Sequence, residues 1–123
     1  VGWVREPAAR AKATMLVFHG NAGCAQDHGP LADALALRGW RVVSIEYPGY
    51  CGRPGGASVD ALLDDAVAQA AEARSRWPGP VVLAGYSLGA AVAAVAADPA
   101  SVPGDRPPAD GLLMFTPWAS FRA

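Results

Sequence analysis

The chain has 123 residues, ten Lys and Arg against eleven Asp and Glu, a net charge of -1 and an apolar share of 52%. That share supports a packed core and excludes a disordered chain. The scattered, balanced charge excludes a nucleic-acid module and a basic membrane-surface segment, and the longest apolar run falls far short of the roughly 20 residues that cross a bilayer.

The first apolar run covers residues 14–18 (TMLVF), and His19-Gly20-Asn21-Ala22-Gly23 follows it directly. A helix is predicted over 30–38, with Leu31, Ala34 and Leu35 on one side and Gly39 as its C-terminal stop. His28 reads as a solvated residue at the start of that helix. The second run is 41–46 (RVVSIE), followed by a loop rich in glycine and proline, Tyr47-Pro48-Gly49-Tyr50-Cys51-Gly52-Arg53-Pro54-Gly55-Gly56.

A longer helix is predicted over 59–76. Val59, Leu62, Leu63, Ala66, Val67, Ala70 and Ala71 make its apolar stripe, and Ser58 is placed to cap it. Pro78-Gly79-Pro80 stops it and launches a third run, 81–84 (VVLA). Gly85-Tyr86-Ser87-Leu88-Gly89 comes next and opens a helix over 88–97 made almost wholly of Ala and Val. A loop containing Asp98 and Asp105 then leads to the fourth run, 111–115 (GLLMF). Each run is continuously apolar rather than alternating, as in strands covered on both faces. The order strand–helix–strand–helix–strand–helix–strand predicts an α/β chain: an open, mostly parallel sheet with helices on both faces.

The chemistry concentrates after the strands. G-x-S-x-G between a strand and a helix puts Ser87 on a sharp turn, where its hydroxyl projects and the helix N-terminus faces developing negative charge. The bland alternative is a tight turn with a capping serine. The backbone N–H groups of Asn21 and Leu88 are the candidate oxyanion donors. His19 is expected to be structural. Tyr50 and Arg53 would contact substrate or hold their own loop. Tyr86 is a further candidate contact. Trp118 and Phe121 would line an acyl pocket or belong to the core. Two cysteines are too few for a zinc site or a disulfide framework, and no metal or cofactor is expected. Cys24 and Cys51 both follow strands; two unpaired thiols is the preferred reading and a bridge the alternative.

Together, HGNAG, YPGYCGRPGG, GYSLG and LLMFTPWASF resemble an α/β-hydrolase-fold serine hydrolase. The likeness is to the BEM46-like branch, relatives of the ABHD13 and ABHD17 depalmitoylating hydrolases. Cys51 and Arg53-Pro54 depart from that branch's glycine–serine loop, and Thr116 stands where a serine is usual. The resemblance implies acyl transfer to Ser87 from a carboxylic ester or thioester, with a small-molecule or lipid-like substrate. It also implies an Asp or Glu and then a His after the serine. No histidine follows Ser87, and the carboxylates that do are Asp98, Asp105 and Asp110, all expected at the end of the sheet away from the serine.

The chain is therefore read as part of one domain, 1–123, with the acid and base beyond Ala123, weak or inactive alone, and prone to self-association through an exposed sheet edge. A start at Val1 suggests ends set by cloning, cleavage or an incomplete gene. Cytoplasmic localisation is the default expectation. Two other readings stay open: a non-catalytic binding module that keeps the turn, and a half completed by another chain.

Overall fold

A computed structural model describes residues 2–21, 23–56, 58–101 and 107–115. Strands β1 (Gly2–Arg5), β2 (Ala13–Phe18), β3 (Trp40–Ile45), β4 (Val81–Tyr86) and β5 (Gly111–Phe115) form one sheet in the order β1-β3-β2-β4-β5. β1 runs antiparallel to β3, and the other pairings are parallel. The helices are α1 (Gly29–Leu37), α2 (Val59–Arg76) and α3 (Leu88–Ala97).

The sheet alternates its side chains between two apolar layers. Leu16, Phe18, Val43, Ile45, Val81 and Leu83 face α2 and α3, where Leu62, Ala66, Ala70, Val92 and Ala93 meet them. Met15, Val17, Val42 and Ala84 face α1, through Ala32, Leu31 and Leu35. All six residues of β2 are buried, so both of its faces are covered. Continuous apolar character was the signal for this arrangement, and the expected α/β fold with helices on both faces stands.

Three details differ from the sequence reading. β1 shows no apolar run, because all four of its residues are exposed; it is held by edge pairing to β3, with Arg5 paired to Asp33 of α1 at 3.1 Å. In α1 the buried residues are Ala32 and Ala36, while Ala34 is exposed. The helix turns its smallest side chains to the sheet and leaves Leu31 and Leu35 half-buried beside them. In α2 the buried line is Leu62, Ala66, Ala70 and Ala73. Val59 is 60% exposed because it is the first residue of the helix, where the chain is still arriving from the loop. Ala71 is exposed because it lies about 100° round the helix from Ala70.

Ser58 caps α2 as expected, its hydroxyl accepting from Ala61 N–H at 3.1 Å. At the amino end of the sheet, Asp110 ties β5 to β4: its backbone N–H donates to Val81 O at 2.7 Å and its carboxylate accepts from Val81 N–H at 2.8 Å. Arg74 of α2 pairs with the same carboxylate, which raises the Arg74 pKa.

Leu83 is fully buried in the larger layer. Leu83→Ala is expected to lower unfolding free energy by about 3 kcal/mol, read as a shift in the urea midpoint. Val59→Ser should change it by less than about 0.5 kcal/mol.

Candidate active site

The topology itself creates a crevice. β2 and β4 are neighbours in the middle of the sheet, with Phe18 opposite Gly85. From β2 the chain turns to α1 on one face; from β4 it turns to α3 on the other. Loops that diverge in this way open a gap at the carboxyl ends of the strands, where open α/β sheets bind ligands. The loop 19–24 leaves β2 there, and Ser87 leaves β4 beside it.

Ser87 has φ 53 and ψ -114, a backbone conformation that costs a non-glycine residue on the order of 1–3 kcal/mol. The glycines on either side make the turn possible. A Cβ on Gly85 would run into the Gly89 carbonyl, and one on Gly89 would run into the carbonyls of Phe18 and His19. The start of α3 is therefore pressed against the end of β2 at a distance only hydrogen permits. Ser87 N–H donates to Phe115 O at 3.0 Å, and Ser87 O accepts from Ala90 N–H at 3.0 Å. The Ser87 side chain makes no capping hydrogen bond to α3, so the capping-serine alternative does not describe this turn. Leu88 is the first residue of the helix, and its N–H has no acceptor within α3.

The glycine loop comes close to the serine. A Cβ placed on Gly20 would lie 3.8 Å from Ser87 Cβ and 3.7 Å from Tyr86 O. Asn21 sits in this loop as an exposed turn residue, its Oδ1 accepting from the Tyr50 hydroxyl at 2.9 Å. The base of the loop is clamped from β3. His19 is buried, with Nε2 2.8 Å from Glu46 Oε1 and Nδ1 2.7 Å from Gly20 O. The other oxygen of Glu46 accepts from Ala25 N–H at 2.9 Å. One buried carboxylate thus holds both ends of the segment 19–25. The Tyr47 hydroxyl donates to His19 O at 2.6 Å, and burial pushes that phenol well above its ordinary pKa range.

Both ring nitrogens of His19 face acceptor oxygens. The ring bonds both at once only as an imidazolium beside a carboxylate, or as an imidazole beside a carboxylic acid. Either way no ring nitrogen is left to take a proton from Ser87, which fits the structural role expected for His19. Glu46 and Tyr47 were missed as site-supporting residues. The available signal was an acid ending an apolar strand.

Cys24 and Cys51 form a disulfide, with Cα atoms 5.9 Å apart, so the reading of two unpaired thiols is corrected. Each follows a different strand, but β2 and β3 are neighbours, and their loops meet at one edge. Glu46 offers an oxygen close to both sulfurs, and the three could group around a metal. In the bridged state, however, neither sulfur is a thiolate, and both Glu46 oxygens already accept hydrogen bonds. A bridge spanning 27 residues contributes about 3–4 kcal/mol in the chain-entropy model.

The remaining candidates fall into place as follows. Arg53 pairs with Asp65 through two bonds of 2.8 and 2.6 Å and donates to Glu46 O at 2.6 Å; its bonds to Asp65 raise its pKa. These contacts fasten the 47–56 loop to α2. Tyr50 is half-buried against the larger apolar layer. Tyr86 stacks between His28 at 4.7 Å and Phe115 at 4.6 Å. His28 is therefore half-buried on an aromatic ring, not solvated as expected; burial first, then the charge of His19, lowers its pKa, with Asp27 opposing. Trp118, Phe121 and Asp105 lie outside the described residues. Asp98 caps the far end of α3, eleven residues and about 16 Å from Ser87. Asp110 sits at the amino end of β4 and β5, so neither approaches the crevice. A cavity of ≈ 320 Å³ between the β1 edge and α2 contains none of the crevice residues.

A family model described as Serine aminopeptidase, S33, matches residues 9–122. Protein YfhR of Escherichia coli strain K12 is 38% identical over 88 residues, covering 69% of this chain and 31% of YfhR. The structure of XC6422 from Xanthomonas campestris, titled a member of a/b serine hydrolase without lid, superposes with a TM-score of 0.79 at 26% identity; the match covers 98% of this chain and 56% of that one. The type II thioesterase BorB from the borrelidin biosynthetic cluster is 30% identical with a TM-score of 0.62, over 77% of this chain and 41% of its own. The chain thus spans about a third of the curated relative's length.

Gly89→Ala is expected to destabilise the fold by about 3 kcal/mol or more, since the added methyl meets backbone rather than a movable side chain. Thermal melting would show it. His28 contributes one part of the pH dependence of stability. Its folded pKa is depressed, so its stabilising contribution is full above the unfolded value of about 6.5 and is lost as pH falls through the lower folded value. His28→Gln should flatten that part of the stability–pH curve measured by urea unfolding.

Proposed function

This chain belongs to the Serine aminopeptidase, S33, family of α/β serine hydrolases, and from that premise we propose that Ser87 is the nucleophile of an acyl-transfer reaction on carboxylic esters or thioesters. The observation that carries the reading is the Ser87 turn. A strained backbone is held by Gly85 and Gly89, the side chain is not used for capping, and the glycine loop after β2 packs against it. Strain at a non-glycine residue persists only where its surroundings fix it, and such residues cluster at reaction sites.

In this mechanism Ser87 Oγ attacks the substrate carbonyl carbon. The carbonyl oxygen becomes an oxyanion that accepts hydrogen bonds from the N–H groups of Asn21 and Leu88, beside the positive end of α3. The leaving group departs, and water then hydrolyses the acyl-enzyme. A histidine must take the Ser87 proton. His19 has both nitrogens bonded, His28 is stacked on Tyr86, and neither follows Ser87 as the chain order Ser, acid, His requires. The base and its orienting acid are accordingly assigned to sequence outside these 123 residues, with the chain as one part of a larger domain.

The substrate is proposed to be a small or lipid-like acyl ester. Tyr50, Tyr86 and Trp118 are its proposed contacts, and the BEM46-like branch is the proposed placement within the family. The name of BorB supports including thioesters. Arg53 is better supported as the fastener of its loop, because both its charge and its donors are engaged. Leu113 and Met114 of β5, both nearly half exposed, support association through that edge with further apolar surface, either the rest of the domain or a second copy. Among the described residues no helix is long and apolar enough to cross a membrane. Cytoplasmic placement is proposed with the bridge as the observation to reconcile, since lasting disulfides belong to oxidising compartments.

In the full-length protein, a fluorophosphonate probe is expected to label Ser87, and Ser87→Ala should abolish labelling and lower kcat/KM on nitrophenyl acyl esters by about a thousandfold or more. Unlabelled Ser87 in a folded full-length protein would favour the non-catalytic module. Faster turnover of a peptide anilide than of any ester would move the substrate class from esters to amides.

A further inference from the structure

The disulfide joins the two loops that border the crevice. Cys24 ends the glycine loop that carries Asn21, just before the short turn of Ala25–His28. Cys51 lies in the loop after β3, next to Tyr50, whose hydroxyl bonds the Asn21 side chain. We propose that Cys24 and Cys51 form a reversible thiol–disulfide modification site that sets the position of the oxyanion loop, and that its reaction partner is a dithiol. This inference rests on the reading of Ser87 as nucleophile and the Asn21 N–H as oxyanion donor.

Three features carry it. First, Cys51 is exposed, so a dithiol can reach its sulfur. Second, Cys51 has φ 44, in the left-handed region that glycine adopts freely and a side chain does not. The turn around it is closed by Arg53 N–H on Tyr50 O at 2.9 Å, and in the proposal the bridge is the second restraint on the residue. Cutting the bridge removes the restraint that ties Cys51 to the glycine loop, while Arg53 still fastens the loop to α2, so the strained φ can relax locally and shift the Tyr50–Asn21 contact. Third, both ends of the glycine loop are pinned without the bridge, by Glu46 on His19 and Ala25 and by the Tyr47 hydroxyl on His19 O, while Asn21 lies between them. Reduction should therefore loosen the outer loop, where Asn21 sits, and leave the fold in place.

The chemistry is ordinary thiol–disulfide exchange. One thiolate of the dithiol attacks Cys51 Sγ; the bond between the two cysteine sulfurs breaks, and Cys24 leaves as a thiolate that takes a proton from water. The second thiolate of the reductant attacks its own sulfur in the mixed disulfide and releases Cys51, which is protonated in turn. The dithiol ends as a cyclic disulfide, having given up two electrons and two protons, and the protein holds two thiols.

The test uses the full-length protein in buffers of oxidised or reduced dithiothreitol. Free thiols are counted by alkylation and mass spectrometry, the fold is followed by circular dichroism, and the rate of fluorophosphonate labelling at Ser87 is measured. Reduction is expected to slow labelling about tenfold or more without loss of the dichroism signal, and reoxidation to restore it. Cys24→Ser should label at the reduced rate in either buffer. Equal rates with confirmed reduction, or a Cys24→Ser variant that labels at the oxidised rate, would overturn the inference and leave the Ser87 reading standing. Unfolding on reduction would also overturn it, making the bridge a structural staple. Absence of labelling in both states removes the Ser87 reading and this inference together. If Cys24→Ser does not fold, the buffer series on the unmodified protein decides alone.

Discussion

The contact on which the site depends is the approach of the first turn of α3 to the carboxyl end of β2. Gly89 sits so close to the Phe18 and His19 carbonyls that no side chain fits between them. This contact fixes where α3 begins and hence the strained link through Ser87. It also fixes which loop lies beside the serine, because the segment pressed against Gly89 continues directly into Gly20 and Asn21. Parallel pairing of β2 with β4 supplies the rigid base, and the divergence of their loops to opposite faces keeps the crevice open.

Around that contact the structure has two kinds of support. Apolar layers on both faces hold the strands, with alanine-rich helix surfaces allowing close approach. Polar support is concentrated at the end of β3, where Glu46 and Tyr47 bond backbone groups at the start and end of the glycine loop. A buried carboxylate with unmet bonding capacity would be costly; here both oxygens have partners, so the network positions the loop without that penalty. The disulfide and the Arg53–Asp65 pair then fasten the neighbouring loop, one to the glycine loop and one to α2.

The two histidines show how environment assigns roles. His19 stands one residue past β2, at the start of the loop that packs beside Ser87, yet its bonds to Glu46 and Gly20 take both nitrogens. His28 lies against Tyr86 and is biased to the neutral form by burial.

Much of this was legible in the residues. Continuous apolar runs gave parallel strands, 3.6-residue spacing gave α2 with its Ser58 cap, and glycines on both sides of a serine marked the sharp turn. These features depend on neighbours within a few positions, which the sequence states directly. β1 was hidden because an exposed edge strand has no apolar pattern to show. The partners of Glu46, the His28–Tyr86 stack and the Cys24–Cys51 bridge were hidden for another reason: each joins residues brought together only when β2, β3 and β4 align. Sequence alone determined which elements form and where the sharp turn lies. Only the tertiary structure decided which loops share an edge, because strand order and register, unlike periodicity, are properties of the packed sheet.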